Sequence, residues 1–310
     1  MELVRPDTHI DFVKQGPVCA VISLGLVILA IGLMIVRGFN FGIDFAGGTV
    51  LQVQVPEEAG AVDEGTMRAG ASGAGFPNAV IVRLGDEADR SFRINIKLSE
   101  EQRRDLSIEV LDGLSSELGV EVIPQRIESI GPRVGGEQTA RGIWALVASW
   151  ALILLYIWFR FDLRYAPGAV AALIHDVIIT AGVFVALGWE FNLQVLAALL
   201  VVVGYSLNDT IVVYDRIREN IGLRGATLLE DVVNQSINQT LSRTLITSAT
   251  TLAVVAAILA LGGPVLRDFA AALFLGVTIG TYSTVYVASN LLIFLERRYT
   301  NLATTRRAES

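Results

Sequence analysis

The segment LQVLAALLVVVGYSLNDTIVVY, residues 193–214, decides the fold class of this chain. It is long enough to cross a bilayer core of about 30 Å, which takes about 20 helical residues. One acidic residue, Asp209, lies in it with apolar residues on both sides. A charged side chain at the centre of a membrane helix costs about 2.5–3.5 kcal/mol on insertion scales. The segment therefore predicts a membrane span that contains a candidate functional residue.

The whole chain has a membrane protein's composition. Its 310 residues are 53% hydrophobic and only 18% charged, which is too apolar for a soluble protein of this size. We predict six spans by length and apolarity, at residues 16–36, 142–159, 166–189, 193–214, 244–262 and 269–295. The first span lacks the small-residue cleavage site of a secretory signal peptide, so we expect a retained anchor.

The charges predict how these spans are oriented. If the N-terminal tail, residues 1–15, is cytoplasmic, the tails and short loops on that side hold 11 Lys and Arg besides Arg243, and the opposite short loops hold only Arg267. Positively charged loops remain on the cytoplasmic side. We therefore expect both termini to be cytoplasmic and residues 38–140 to lie outside. A reversed topology is the alternative.

Residues 38–140 read as a folded domain. They carry 17 Asp or Glu and 9 Lys or Arg, and an acidic surface is a poor one for nucleic acid. Alternating apolar residues predict strands at 49–55, 79–84, 92–96 and 120–130, with a weak helix within 57–75 and an amphipathic helix after Ser99. The order βαββαβ is that of a ferredoxin-like α+β domain. The fold class is thus a polytopic α-helical membrane protein with one such extracytoplasmic domain.

Residues 215–243 form the longest cytoplasmic loop in this scheme. Thr227 and Glu230 have the spacing of a helix capping box, and apolar residues follow every four positions from Leu229 to Leu241. This pattern predicts an amphipathic helix on the membrane surface, either in contact with a partner or packed against the ends of the spans.

Asp209 is the strongest candidate for chemistry. It precedes the first cytoplasmic arginine, Arg216, by seven residues, too far for a short side chain to reach the interface. Burial favours a neutral carboxyl group and a nearby cation favours an ionised one, so a paired Asp can bind and release protons. Arg243, at the start of the fifth span, is the expected partner. The alternatives are a structural hydrogen bond for Asp209 and extension of Arg243 to the interface.

Weaker signals surround this pair. His175 and Asp176 in the third span could extend a polar path or simply bond within the bundle. The sequence provides neither a second histidine nearby nor a nucleophile motif, and its single cysteine, Cys19, excludes an intramolecular disulfide. We therefore expect no metal site and no covalent catalysis.

A glycine-rich stretch, GIDFAGG at residues 42–48, follows the first span. It lacks the lysine and the helix start of a phosphate-binding loop. We interpret Gly42, Asp44, Gly47 and Gly48 as a tight structural connection between membrane and domain, in which glycine permits positive φ or close backbone approach.

Three motifs carry a family resemblance: GIDFAGG at 42–48, GYSLNDTIVVYDRIREN at 204–220 and SINQTLSRT at 236–244. Together with the six-span layout, they resemble the SecF subunits of the bacterial Sec protein-export accessory complex, members of the resistance-nodulation-division superfamily. The resemblance covers nearly the whole chain.

The resemblance implies a site and a set of partners. The proton-pathway Asp and Arg of the family fall on Asp209 and Arg243, with Asn208 and Thr247 beside them. The implied partners are a SecD subunit, the SecYEG channel, YajC, YidC, the translocating preprotein and lipid, in the bacterial inner membrane. No bound cofactor is implied, and the coupled ion is a proton or sodium.

Two other classes of function remain as alternatives. A proton-coupled efflux-type half-transporter of the same superfamily would move a small molecule, and a scaffold would conduct nothing. A complete efflux pump usually carries larger, twinned outer domains in one chain, and a scaffold would need no buried ion pair.

Overall fold

The computed structural model describes residues 9–60, 62–84, 89–97, 106–160, 164–224 and 228–308. Within these ranges, six helical stretches are long and apolar enough to span a membrane. They are α1 (Phe12–Arg37), α5 (Pro132–Arg160), α6 (Ala166–Leu187), α7 (Leu193–Arg224), α8 (Leu229–Leu261) and a final stretch made of α9 (Gly263–Ser283), a π-helical turn (Thr284–Ala288) and α10 (Ser289–Ala308). The six spans expected from hydropathy are thus present.

The fifth span corrects one prediction. Residues 229–243 do not form a separate surface helix, because α8 runs without a break from Leu229 to Leu261. The segment contains neither glycine nor proline, so nothing interrupts its backbone hydrogen bonds. Thr227 lies outside the described residues, and Glu230 pairs with Arg297, whose Nε lies 2.6 Å from Glu230 Oε1.

The apolar stripe at the start of α8 is a packing surface. Val233, Ile237 and Leu241 are buried in the bundle core against α1 and α7. On the same stretch, the side-chain oxygen of Asn234 accepts from the Phe12 backbone N–H at 2.8 Å. The stripe therefore packs against the helix ends, which is the second of the two interpretations that its pattern allowed.

The domain between α1 and α5 contains the expected elements. They are β1 (Gly48–Gln54), α3 (Glu64–Gly73), β2 (Val80–Leu84), β3 (Ser91–Lys97), α4 (Leu106–Leu118) and β4 (Ile123–Ile130), preceded by the short helix α2 (Ile43–Ala46). The four strands form one antiparallel sheet in the order β2-β3-β1-β4. This order and the βαββαβ sequence confirm the ferredoxin-like prediction.

The helices of the domain cover one face of that sheet. Alternate residues of the strands, such as Leu51, Val53 and Phe92, are fully buried with Met67 of α3 and Leu114 of α4. Helix α3 is better defined than its glycine content suggested. Its first turn is capped by Asp63, which accepts from the Thr66 N–H at 2.7 Å.

Strand β4 lies at one edge of the sheet. Val53 pairs with Pro124 and Gln52 with Arg126, so Gln125 is left over as a bulge. Proline lacks a backbone N–H, and an edge strand with a bulge can accommodate that loss.

Candidate functional site

Asp209 is buried in the middle of α7, with 3% of its surface exposed. Its carboxyl group is near the charge of Arg243 and the Ser248 hydroxyl on the neighbouring helix α8, and that hydroxyl lies 2.7 Å from the Thr281 hydroxyl of α9. Among the described residues, Oδ2 of Asp209 has no hydrogen-bond partner. The carboxyl group is therefore shielded from solvent but retains an unused acceptor.

Arg243 and Thr247 lie on α8, and Asn208 lies next to Asp209 on α7. The Arg243 side chain is exposed, and within the described ranges no ion pair of 4.0 Å or less joins it to Asp209. The Thr247 hydroxyl donates to the Arg243 carbonyl of its own helix at 3.0 Å. Asn208 is exposed on the outer face of α7. Of the four predicted residues, Asp209 is thus buried and Thr247 is half-buried, whereas Arg243 and Asn208 are exposed on the outside of the bundle.

A polar cavity of about 360 Å³ lies beside Arg243. It lies between α5, α7 and α8 at the end that is remote from the domain, and Arg243 is part of its wall together with Tyr156, Asp215 and Gln239. A cavity with these side chains can hold water that reaches the guanidinium group.

A second buried carboxyl group, Asp176 of α6, has a different environment. It is fully buried, and its Oδ2 accepts from the hydroxyls of Ser206 on α7 at 2.6 Å and Ser283 on α9 at 2.9 Å. Its Oδ1 lies 3.0 Å from Nδ1 of His175. Asp176 therefore fastens three helices together, and each of its two oxygens is hydrogen-bonded.

Further bonds continue this cluster along α7. The Thr210 hydroxyl lies 3.1 Å from that of Thr284, and the Tyr214 hydroxyl donates to the Ala288 carbonyl at 3.0 Å. Both partners on the last span belong to the π-helical turn. Such turns interrupt the regular α-helical bonding and often occur at functional sites.

The glycine-rich stretch contacts the start of α7. Asp44 Oδ2 accepts from the Leu193 backbone N–H at 3.0 Å. Gly47 has a φ of 78°, in the region that favours glycine. A Cβ on Gly42 would lie 2.6 Å from a Glu190 carboxylate oxygen and 3.1 Å from Cβ of Asn192. The stretch is therefore a tight connection in which Gly47 supplies a positive φ and Gly42 allows close approach.

Comparison with known proteins agrees with this architecture. The family described as "Protein export membrane protein SecD/SecF, C-terminal" matches residues 112–298. The chain belongs to the SecD/SecF family. The "SecD/SecF GG Motif" matches residues 32–55, which include the glycine-rich stretch. SecD/SecF proteins are a transport family without catalytic activity. This confirms the expectation that the chain is not an enzyme.

Individual SecF relatives are similar over almost their entire length. "Protein translocase subunit SecF" of Magnetococcus marinus is 42% identical over 300 residues, which are 96% of this chain and 95% of the relative. The subunit of the same name from Pseudomonas aeruginosa is 41% identical, over 92% of this chain and 91% of the relative. The chain is therefore a multi-pass membrane protein of the Sec export machinery.

A solved structure is similar in three dimensions as well. The crystal structure of SecDF from Thermus thermophilus, described as a translocon-associated membrane protein, superimposes with a TM-score of 0.80 at 40% identity. The similarity covers 95% of this chain but 40% of the Thermus chain. This SecF-type chain thus spans two fifths of that SecDF protein.

Sequence reasoning missed several polar groups of the SecF bundle. Ser283 and Thr284 were not singled out, although the polar run GTYST at 280–284 interrupts the last span. Asp268, which accepts from Asn192 at 3.0 Å, was also missed. Asp268 lies near the end of a span, where a charge is not conspicuous in the sequence.

Proposed function

We propose that this chain is the SecF half of a SecD–SecF complex that uses the proton-motive force to assist preprotein translocation at the outer face of the bacterial inner membrane. Family membership supports the export role. The observation that carries the coupling mechanism is the buried Asp209 carboxyl group with an unused acceptor oxygen on the helix next to Arg243.

The chemistry we propose is alternation between two states of Asp209. When ionised, the carboxylate attracts the Arg243 guanidinium and draws α7 and α8 together. When protonated, it loses that attraction, and the two helices repack. Moving one charge through 100 mV supplies about 2.3 kcal/mol, which is enough to shift a two-state equilibrium roughly fiftyfold.

Asn208 and Thr247 are the further residues that we propose for the pathway. Asn208 is exposed on α7, and Thr247 lies one turn beyond Arg243 on α8. An exposed polar side chain within a span requires water, lipid headgroups or a protein neighbour. We propose that the SecD partner covers this face and contributes the rest of the ion route.

The sequence also identified His175 and Asp176 as candidates that could extend the polar path. Because Asp176 is saturated by hydrogen bonds from three side chains, we assign it to holding α6, α7 and α9 in a fixed arrangement. The moving part in this proposal is then the contact between α7 and α8.

The orientation and the partners are part of the same proposal. The distribution of Lys and Arg supports cytoplasmic termini and an outer domain. We propose the SecYEG channel, YajC, YidC and the preprotein as further partners, on the basis of the family resemblance. Sodium in place of the proton is the alternative coupling ion.

Export assays with Asp209→Asn test this function. The variant keeps the size of the side chain but fixes it in a neutral form, so we expect loss of the export that depends on the proton-motive force. The matched control is Asp231→Asn, which removes the same charge at an exposed position on α8. Normal export with Asp209→Asn would favour a scaffold, and altered drug sensitivity with normal export would favour an efflux function.

A further inference from the structure

We infer that Asp44 is a positioning residue in a joint through which α7 and the outer domain move together. The joint consists of residues 39–48, which connect α1 to β1, and of the α6–α7 loop, residues 188–193. This inference rests on the proposed function, because it identifies the route by which a change at Asp209 reaches the domain.

The first half of the joint is a set of hydrogen bonds to the start of α7. The N-terminus of any helix leaves up to four backbone N–H groups without partners inside the helix. In α7, Asn192 accepts from the Val195 N–H at 3.0 Å. The Leu193 N–H donates instead to Asp44, which is 149 residues away in sequence. An anionic side chain from the joint thus caps the helix that carries Asp209 and is favoured there by the helix dipole.

Backbone bonds tie the same two segments together. The Gly42 N–H donates to the Phe191 carbonyl at 3.0 Å, and the Phe191 N–H donates to the Asn40 carbonyl at 2.8 Å. The ring of Phe191 also packs edge-on against that of Phe39, with centroids 5.2 Å apart. The α6–α7 loop therefore cannot move far without moving residues 39–48.

The second half of the joint is fixed to the domain and to α5. Gly48 begins β1, and a Cβ at this position would collide with the Ile96 carbonyl oxygen of β3. A Cβ on Gly135 of α5 would lie 2.5 Å from the Phe45 carbonyl oxygen and 2.9 Å from the Gly47 nitrogen. No side chain fits between these backbones, so the segment is clamped between the sheet and α5.

This geometry connects the capped end of α7 to the domain, in addition to the direct chain connection from β4 to α5. Asp209 lies 16 residues after Leu193, or about 24 Å along a continuous helix with a rise of 1.5 Å per residue. A helix of this length moves as a unit, so repacking of α7 against α8 displaces its capped end. The joint passes that displacement to β1, the central strand that pairs with both β3 and β4.

Distance measurements between two spin labels test the joint. The labels are placed at Ser72 in the domain and at Leu261 at the end of α8, both exposed, in a Cys19→Ser background. The full chain is reconstituted in liposomes with its SecD partner. We expect Asp209→Asn to shift the distribution of label distances, and we expect this shift to be lost when Asp44→Ala is added.

Two further variants separate the joint from general destabilisation. Leu193→Pro removes the N–H that Asp44 binds, and proline is favoured at the first position of a helix, so α7 remains formed. We expect this variant to lose the shift as well. Asp44→Asn keeps an acceptor oxygen for the Leu193 N–H and should retain the shift.

The matched control is Asp63→Ala in the domain. Asp63 also caps a helix, and its bond to the Thr66 N–H lowers the pKa of this carboxyl below its ordinary value. Its removal should leave the shift intact because α3 packs against α4 and β2 within the domain.

Two results would contradict the inference, and they distinguish failure of the joint from failure of the proposed function. If Asp209→Asn shifts the distances equally with and without Asp44→Ala and Leu193→Pro, the joint is overturned and the proposed function stands. If Asp209→Asn causes no shift even with Asp44 present, the proposed coupling is overturned and the joint with it.

Discussion

Asp176 and Asp209 are two buried carboxyl groups on neighbouring helices, and they differ in how their oxygens are used. Both oxygens of Asp176 are hydrogen-bonded, to side chains from three helices. Asp209 has one oxygen with no partner among the described residues and a cation on the adjacent helix. Burial alone therefore does not distinguish a structural carboxyl group from one that can change state.

The two sides of α7 also differ, because one is buried against other helices and the other is exposed. Toward α6 and α9, side chains such as Val202, Ser206 and Thr210 are buried and in contact. On the opposite side, Val201, Gly204 and Asn208 are exposed. Helix α7 is thus held firmly along one side and is available to a partner along the other. A motion driven from Asp209 would pivot on the firm side.

The largest expected effect comes from removing each of the two carboxyl groups in turn and comparing the loss of stability. Asp176→Ala leaves the buried Ser206 hydroxyl without its acceptor and removes the partner of the His175 ring, so we expect a loss of about 2–4 kcal/mol in the free energy of unfolding. Asp209→Ala should cost less, about 1 kcal/mol, because it removes fewer bonds. Denaturation of the purified SecD–SecF complex measures both values. Equal or reversed costs would contradict the distinction.

Overpacking the buried side of α7 should destabilise the complex somewhat less. A Cβ on Gly276 of α9 would lie 2.8 Å from one methyl group of Val202 and nearer to the other. We expect Gly276→Ala to destabilise the complex by about 1–3 kcal/mol through overpacking.

Gly204→Ala is the matched control for the open side of α7. Within the described part of the chain, a Cβ at Gly204 meets no atom within 4 Å. The same denaturation experiment on the chain without SecD should therefore show a change within about 0.5 kcal/mol. A large cost at Gly204 would mean that the exposed side is occupied within this chain after all.

A single hydrogen bond to Asp176 gives the smallest effect. Ser283→Ala removes one of the two hydroxyl donors, and we expect a loss of about 1 kcal/mol, the size of one interhelical bond. In Thr278→Ala the lost hydroxyl bonds only to the Phe274 carbonyl of its own helix. This control should be nearly neutral. No difference between the two variants would show that Asp176 is not a fastener.

Much of the fold was predictable because its signals are local. Apolar runs identify the spans, alternation identifies the strands, and the cost of burying a charge picks out Asp209. The continuity of α8 was missed because residues 234–240, all polar except Ile237, resemble a surface segment. Val233 and Ile237 are nevertheless buried by α1 and α7, and a contact between distant spans leaves no local trace.

The parts of the site that sequence could not reveal depend on helix register. Asp44 and Leu193 are 149 residues apart, and Asp176 and Ser283 are 107 apart. Whether such pairs meet is decided by the rotation and depth of whole helices, to which many weak packing contacts contribute. Polar residues in spans indicate that bonds will form but not which partners they choose.

We propose that Asp209 gains and loses a proton, whereas Asp176 holds three helices together through its hydrogen bonds. Infrared difference spectroscopy of the SecD–SecF complex in lipid, recorded between acidic and neutral pH, detects the C=O stretch of a protonated carboxyl group as it titrates. We predict a titrating band that disappears in Asp209→Asn and persists in Asp176→Asn. A band that survives Asp209→Asn unchanged, or that disappears only in Asp176→Asn, would contradict the account.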